Sequence, residues 1–301
     1  MTKRLLIVYA HPDDESFGLG AFVAKSVAEG VEVSLICTTN GDVGSVDPKF
    51  MDGHSSVAEV RLSELHCAAQ VLGFKEVITF GYRDSGMMNS PDNNDPKASW
   101  QAPTDEVADR IIDVIHRIHP QVMITFDPYG GYGHPDHIKC NQATLAAFEK
   151  LKNDPDRPQK LYYHAFPRAM LRIGVAMMRL TGRNPRKMGK NADMDLQAIL
   201  DAVQPVHTKV YTGAYHAIGQ QAAACHASQL GGGPRGILSN EWLDKQISAY
   251  TAFTRVIPEP KVGEPLEVDL FSGVHEEEHE VTHSNHLPDH VAEPQAAISS
   301  L

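Results

Sequence analysis

His11-Pro12-Asp13-Asp14-Glu15 and His134-Pro135-Asp136-His137 are the stretches of this chain best suited to do chemistry. Each sets imidazoles and carboxylates on a proline-stiffened turn. Each also follows a short apolar run, Leu5 to Ala10 before the first and Val122 to Phe126 before the second. Strand ends that meet at one edge of a sheet are where open α/β proteins build sites, so the pairing points to one metal held between two turns. A catalytic zinc takes three protein ligands from His and carboxylate and keeps one position open. If His11 and Asp14 ligate from the first turn and His137 from the second, Asp13 and Asp136 remain as unligated carboxylates and His134 as an unligated imidazole. Metal-assisted hydrolysis needs those parts: Asp13 as base, His134 to stabilise an oxyanion or protonate a leaving amine, and Asp136 to orient His134. The same acids also suit helix starts, where Asp caps and Pro fits the first turn. Two such motifs at two strand ends outweigh that plainer reading.

The elements that must position them alternate. Strands are expected at about 4–10, 31–38, 77–80, 122–126 and 160–165, and helices at about 15–29, 56–73, 104–118 and 136–151. Thr104 is the candidate N-cap of the third helix. This rhythm implies an α/β fold with a Rossmann-like, mostly parallel sheet and right-handed crossovers. One domain is expected over 1–257, with a C-terminal elaboration, followed by a loose acidic tail over 258–301. The loop from Tyr82 to Pro103 is long, and Arg83-Asp84-Ser85-Gly86 at its start is read as site-lining. Gly18-Leu19-Gly20 hints weakly at a dinucleotide loop, and Gly231-Gly232-Gly233-Pro234 at a flexible one.

Composition narrows the classes. Of the net charge of −11, −9 falls from Pro258 onward, so the folded part is near neutral and lacks the basic face of a nucleic-acid binder. No signal peptide or membrane span is visible, and the chain reads as cytoplasmic. Cys37, Cys67, Cys140 and Cys225 are widely spaced and read as reduced, buried thiols. Residues 167–191 carry seven Lys/Arg and no acid. Arg168, Arg172 and Arg179 lie on one helical face there; Met170, Ile173, Met177 and Leu180 lie on another. This suits a surface helix or a homo-oligomer contact, with a lid or membrane-surface contact as the alternative. The tail histidines His275, His279, His283, His286 and His290 have no fixed geometry with which to hold a metal.

The two motifs, with Thr39-Asn40-Gly41-Asp42-Val43-Gly44, Arg61-Leu62-Ser63-Glu64 and Gly81-Tyr82-Arg83-Asp84-Ser85-Gly86-Met87, resemble the LmbE/PIG-L family of zinc-dependent N-acetylglucosamine deacetylases. The similarity is strong over 1–145 and patchy over 205–257, where His226-Ala227-Ser228-Gln229 and Phe253-Thr254-Arg255-Val256 look like late family segments. Within the family it is closest to the mycothiol-pathway branch of GlcNAc-inositol deacetylases and conjugate amidases. The resemblance implies His11, Asp14 and His137 as zinc ligands, with Fe²⁺ able to use the same set. It implies Asp13 as base, His134 as acid or electrostatic partner, Tyr132 assisting the oxyanion, and Arg61 and Asp84 contacting the sugar. The family usually has Glu where this chain has Asp42. The implied substrate is a small amino-sugar conjugate whose amide is hydrolysed to a free amine and a carboxylate.

Plainer roles stand beside these. Arg61 with Glu64 also makes an ordinary surface pair, Asp84 also begins a turn, and His226 also fits a buried hydrogen-bonded histidine. Two His and one carboxylate are also the facial triad of non-haem iron oxygenases. A non-catalytic sugar- or nucleotide-binding module is the remaining alternative.

Overall fold

The computed structural model describes residues 2–166, 168–189, 194–230 and 249–275. The elements run β1 (Arg4–Tyr9), α1 (Gly20–Ala28), β2 (Glu32–Thr39), α2 (Val57–Leu72), β3 (Glu76–Tyr82), α3 (Thr104–Ile118), β4 (Val122–Thr125), a distorted single turn α4 (Gly130–Gly133), α5 (Pro135–Lys150), β5 (Lys160–Ala165), α6 (Arg168–Leu180), α7 (Leu196–Ala202), β6 (Thr208–Tyr211), α8 (His216–Cys225) and β7 (Tyr250–Ile257). They build one seven-stranded sheet in the order β3-β2-β1-β4-β5-β7-β6. β1 to β5 pair in parallel, and β7 runs antiparallel to both β5 and β6.

The apolar runs are continuous rather than alternating because parallel strands are covered on both faces. Leu5, Leu6, Ile7 and Val8 are fully buried, odd and even residues on opposite faces. Leu5 and Ile7 pack with Phe22, Val23, Leu65 and Leu72 of α1 and α2. Leu6 and Val8 pack with Ile111, Ile115, Cys140 and Phe148 of α3 and α5. This double layer brings the ends of β1 and β4 side by side at the point where the strand order reverses.

Several expectations are corrected. The first helix starts at Gly20, not near 15, because residues 11–19 form a chain of tight turns and Gly18 takes φ +93°, which no right-handed helix accepts. A Cβ on Gly18 would meet the His164 ring at 3.1 Å. That glycine thus answers a packing need rather than a dinucleotide loop. Thr104 is the first residue of α3 rather than its cap; Pro103 precedes it without a side-chain hydrogen bond.

Cys67 and Cys225 form a disulfide, with Cα atoms 5.8 Å apart, while Cys37 and Cys140 are the buried free thiols. The bridge arises because α8 lies against α2, a long-range contact that cysteine spacing cannot reveal. The tail is not loose from Pro258. Leu270 and Phe271 are buried in the core, and Glu267 bonds into β5, β6 and β7. Packing continues as far as His275, which exchanges two hydrogen bonds with Gln159.

The expected flexible loop at 231–234 and His279, His283, His286 and His290 lie outside the described residues. The basic segment does contain a helix, α6, whose Met170, Ile173, Met177 and Leu180 are exposed while Val175 packs on Leu196 and Ile199 of α7. No described helix is long and apolar enough to cross a membrane.

Candidate active site

His134-Pro135-Asp136-His137 is both a helix start and a cluster of functional groups. His134 is the N-cap of α5, its Nδ1 accepting the Asp136 backbone N–H at 3.2 Å, and Pro135 fills the first helical position. Asp136 sits in the first turn, where the helix dipole favours an anion. His137 follows on the face toward β1. Its Nδ1 donates to the Gly130 carbonyl at 3.2 Å, and its ring stacks on Phe126 at 3.8 Å. Gly130 takes φ +71°, and a Cβ there would sit 3.0 Å from the His137 Cβ. The glycine therefore allows the carbonyl that orients this ring to approach it.

On the facing turn, Asp14 Oδ2 accepts the His11 backbone N–H at 2.7 Å. His11 Nε2 donates to Asp136 Oδ2 at 3.1 Å. With the outer nitrogens of both rings used as donors, the neutral tautomers turn the lone pairs of His11 Nδ1 and His137 Nε2 toward each other, 3.1 Å apart. Asp14 closes the cluster into a triangle through both oxygens, Oδ2 at 3.4 Å from His11 Nδ1 and Oδ1 at 3.4 Å from His137 Nε2. A metal cation, or the proton that a charged His11 carries on Nδ1, would satisfy the two nitrogens and the carboxylate that converge here. Ligands placed about 2.0–2.1 Å from a tetrahedral cation lie about 3.3 Å from one another, so the donor set and its spacing fit one. Burial pushes His11 down, but the negative charges and hydrogen bonds of Asp84, Asp136 and Asp14 outweigh it and raise its pKa well above the ordinary value. His134 also lies close to both rings. Its Nδ1 is taken by the cap, so it stands outside this triangle.

The remaining expected residues surround that triangle. Asp13 is held at φ +126°, a backbone region costing a side-chain-bearing residue about 1–3 kcal/mol. The turn is braced by Ser16 and Phe17 N–H groups donating to its carbonyl, and by its own N–H donating to Glu15. Its carboxylate meets Arg61 Nη2 at 3.2 Å. Burial lifts the Asp13 carboxyl to about 7 although the Arg61 charge pulls it down.

Arg61 does not pair with Glu64. Its guanidinium turns inward onto Asp13 and the carbonyls of Pro12 and Gly41, while Glu64 accepts from Ser228. Asp84 lies 3.7 Å from His11 Nε2 and 3.9 Å from His134 Nε2, and it caps the Gly86 N–H. His134 is held well below its ordinary pKa by burial and by the charges of His11 and His137. Tyr132 faces His137 with ring centroids 4.9 Å apart, and burial raises its hydroxyl pKa. Asp136 does not orient His134 through its side chain: its Oδ2 stands 3.8 Å from that imidazole and bonds His11 instead.

Three contributors escaped sequence reasoning. Ser85 donates from both its backbone and its hydroxyl to Asp136, and so fixes the carboxylate that fixes His11. Its place beside Asp84 in a loop read as site-lining was the only signal. Phe126 is the face on which His137 stacks. Tyr9 lines the same cavity of about 240 Å³ as Asp13, Asp14 and His137, and its buried hydroxyl has no hydrogen-bond partner among the described residues. His226 is buried and bonds Glu15 at 2.7 Å, so it supports the first turn from behind.

The family model described as GlcNAc-PI de-N-acetylase (PIG-L) matches residues 6–148, which include both motifs. A protein of Thermobifida fusca named 1D-myo-inositol 2-acetamido-2-deoxy-alpha-D-glucopyranoside deacetylase is 36% identical over 287 residues, covering 90% of this chain and 99% of its own. The chain belongs to the PIG-L family. A relative of the same name from Acidothermus cellulolyticus is also 36% identical, over 91% of this chain and 96% of its own. The N,N'-diacetylchitobiose deacetylase from Pyrococcus horikoshii shares the fold, with a TM-score of 0.53 at 20% identity and 84% of each chain covered. This PIG-L chain therefore keeps the family's fold from β1 through α5. His164 and His226 lie beyond the residues that the family model matches.

Proposed function

We propose that this PIG-L protein hydrolyses the amide of an N-acetylated amino-sugar conjugate of the GlcNAc-inositol type, using a divalent metal, zinc in the first instance. The observation that carries the reading is the triangle of His11 Nδ1, Asp14 and His137 Nε2, with the unligated Asp13 carboxylate beside it. Zinc held there would polarise the amide carbonyl and lower the pKa of a water from about 16 to about 7.

The chain's own groups do the rest. Asp13, positioned by Arg61 and by its strained turn, takes the water's proton and returns it to the departing amine. His134 stays neutral. Because the Asp136 N–H occupies its Nδ1, its proton is on Nε2, directed at the developing oxyanion. Tyr132, kept protonated by burial, donates to the same oxygen. Ser85 and Asp136 keep His11 in the ligating tautomer. Asp84 offers a carboxylate to a sugar hydroxyl, whereas Arg61 serves first as the brace of Asp13.

The test is acetate release from the inositol-linked N-acetylglucosaminide before and after chelation, with zinc or iron(II) added back. Release that the chelator abolishes and metal restores is expected. No acetate from that compound, from N-acetylglucosaminyl-malate or from chitooligosaccharides would overturn the proposal.

A further inference from the structure

A second cavity, larger than the one holding the carboxylates, adjoins it across a shared wall. It measures about 360 Å³ against about 240 Å³, and Phe17, His164 and Phe166 line both. Small residues of three elements line it: Ala21 of α1, Gly219 and Ala223 of α8, and Ala252 of β7. Met170 and Tyr250 also face it, so its surface is mostly apolar. His164, at the end of β5, makes no hydrogen bond among the described residues, and its ring lies against those of Phe166 and Phe253 and against Gly18. Burial alone takes it to about 4, leaving the wall uncharged at neutral pH.

The two flanks of the metal triangle differ in polarity. Toward β2 and β3 lie Asp42, Asp84 and Arg83, the last paired with Asp92 at 2.6 Å. Toward β4 and β5 lie Phe126, Phe17, His164 and Phe166, with Asp127, whose carboxylate is occupied by the Tyr129 and Gly131 N–H groups, among them. An amide placed with its carbonyl at the triangle sends its two substituents in opposite directions. Sugar hydroxyls are solvated by the charged flank. The acyl group, bonded directly to the reacting carbon, then points toward the aromatic flank and the cavity behind it.

We propose that this cavity is an acyl-chain site, and that the enzyme hydrolyses amino sugars carrying medium-length N-acyl chains as well as acetyl. The inference rests on the hydrolase reading above. The reaction is R–CO–NH–sugar plus water giving R–COO⁻ and ⁺H₃N–sugar: the C–N bond breaks, a C–O bond forms, and the water's protons end on the amine.

The test compares the N-acetyl and N-octanoyl forms of the same glucosaminyl-inositol, with the octyl glycoside of N-acetylglucosamine as a control for an apolar aglycone. In the unmodified enzyme, octanoate release is expected within roughly tenfold of acetate release in kcat/KM. Ala223→Phe and Ala252→Phe each fill the cavity away from the reacting groups. Each is expected to lower octanoyl kcat/KM by roughly tenfold or more and to leave acetyl turnover unchanged. Acetate release without octanoate release by the unmodified enzyme would overturn the acyl site alone. Loss confined to the octyl glycoside would reassign the cavity to the aglycone and overturn it too. Absence of acetate as well would instead remove the hydrolase reading.

Discussion

Asp136 holds His11, 125 residues away in sequence, rather than the histidine two positions before it. The bond, at 3.1 Å, runs from His11 Nε2 to Asp136 Oδ2, which also accepts the Ser85 N–H, while the Ser85 hydroxyl donates to Oδ1. It fixes which nitrogen of His11 faces His137, so it acts on metal affinity more than on the chemical step. Outer partners of this kind are worth about 10–100-fold in affinity. Asp136→Ala is expected to weaken zinc binding by that range, read by competition with a chromogenic chelator, and Asp136→Asn by less. Unchanged affinity in the alanine variant would show that His11 needs no such partner.

Asp13 separates base from ligand. It is adjacent to Asp14 but faces Arg61, and its backbone strain is held by the turn around it. Asp13→Asn keeps size and strain while removing the proton acceptor. It is expected to retain one zinc per chain and to lose about 10²–10⁴ in kcat, the usual worth of a positioned base. Zinc lost along with turnover would make Asp13 a ligand instead.

Much of this centre could be read from residue order because each part is local to one turn. Asp136 as a first-turn acid behind Pro135 can be read from four residues, whereas the structure gives the cap to His134 rather than to an acid. Partnerships across the sheet were not legible. That Asp136 reaches His11, and that Arg61 turns onto Asp13 rather than Glu64, depends on strand order and helix rotation. Beyond α5 the pattern thins further. Leu270 and Phe271 look like isolated apolar residues in an acidic tail, yet they are core residues, because the chain returns along the sheet after β7.

The Cys67–Cys225 bridge is a further long-range contact, closing a span of 158 residues between α2 and the end of α8. Directly after it, His226 bonds Glu15 and Ser228 bonds Glu64. A bridge over a span of this size contributes about 2–4 kcal/mol, chiefly by restricting the unfolded chain. Cys225→Ser is expected to lower Tm by several degrees under oxidising conditions and to change nothing under full reduction. An equal drop in both would place the effect in packing rather than in the crosslink.

Glu267 gives the packed part of the tail a pH signature. Its carboxylate accepts from Lys160, Tyr162, Thr208 and Arg255, on three different strands. Burial pushes its pKa up, but those hydrogen bonds and the Lys160 charge outweigh burial and hold it below the usual 4.5. A carboxyl depressed in the folded state contributes stability that is complete above its unfolded pKa and is lost as pH falls through the folded one. Glu267→Gln should therefore lower Tm most near pH 6 to 7. The gap from the unmodified protein should shrink as pH drops below about 4.5. Thermal unfolding of both proteins from pH 7 to pH 3.5 checks this. A gap that stays constant over that range would mean that the glutamine loses hydrogen-bond geometry and that the charge contributes nothing.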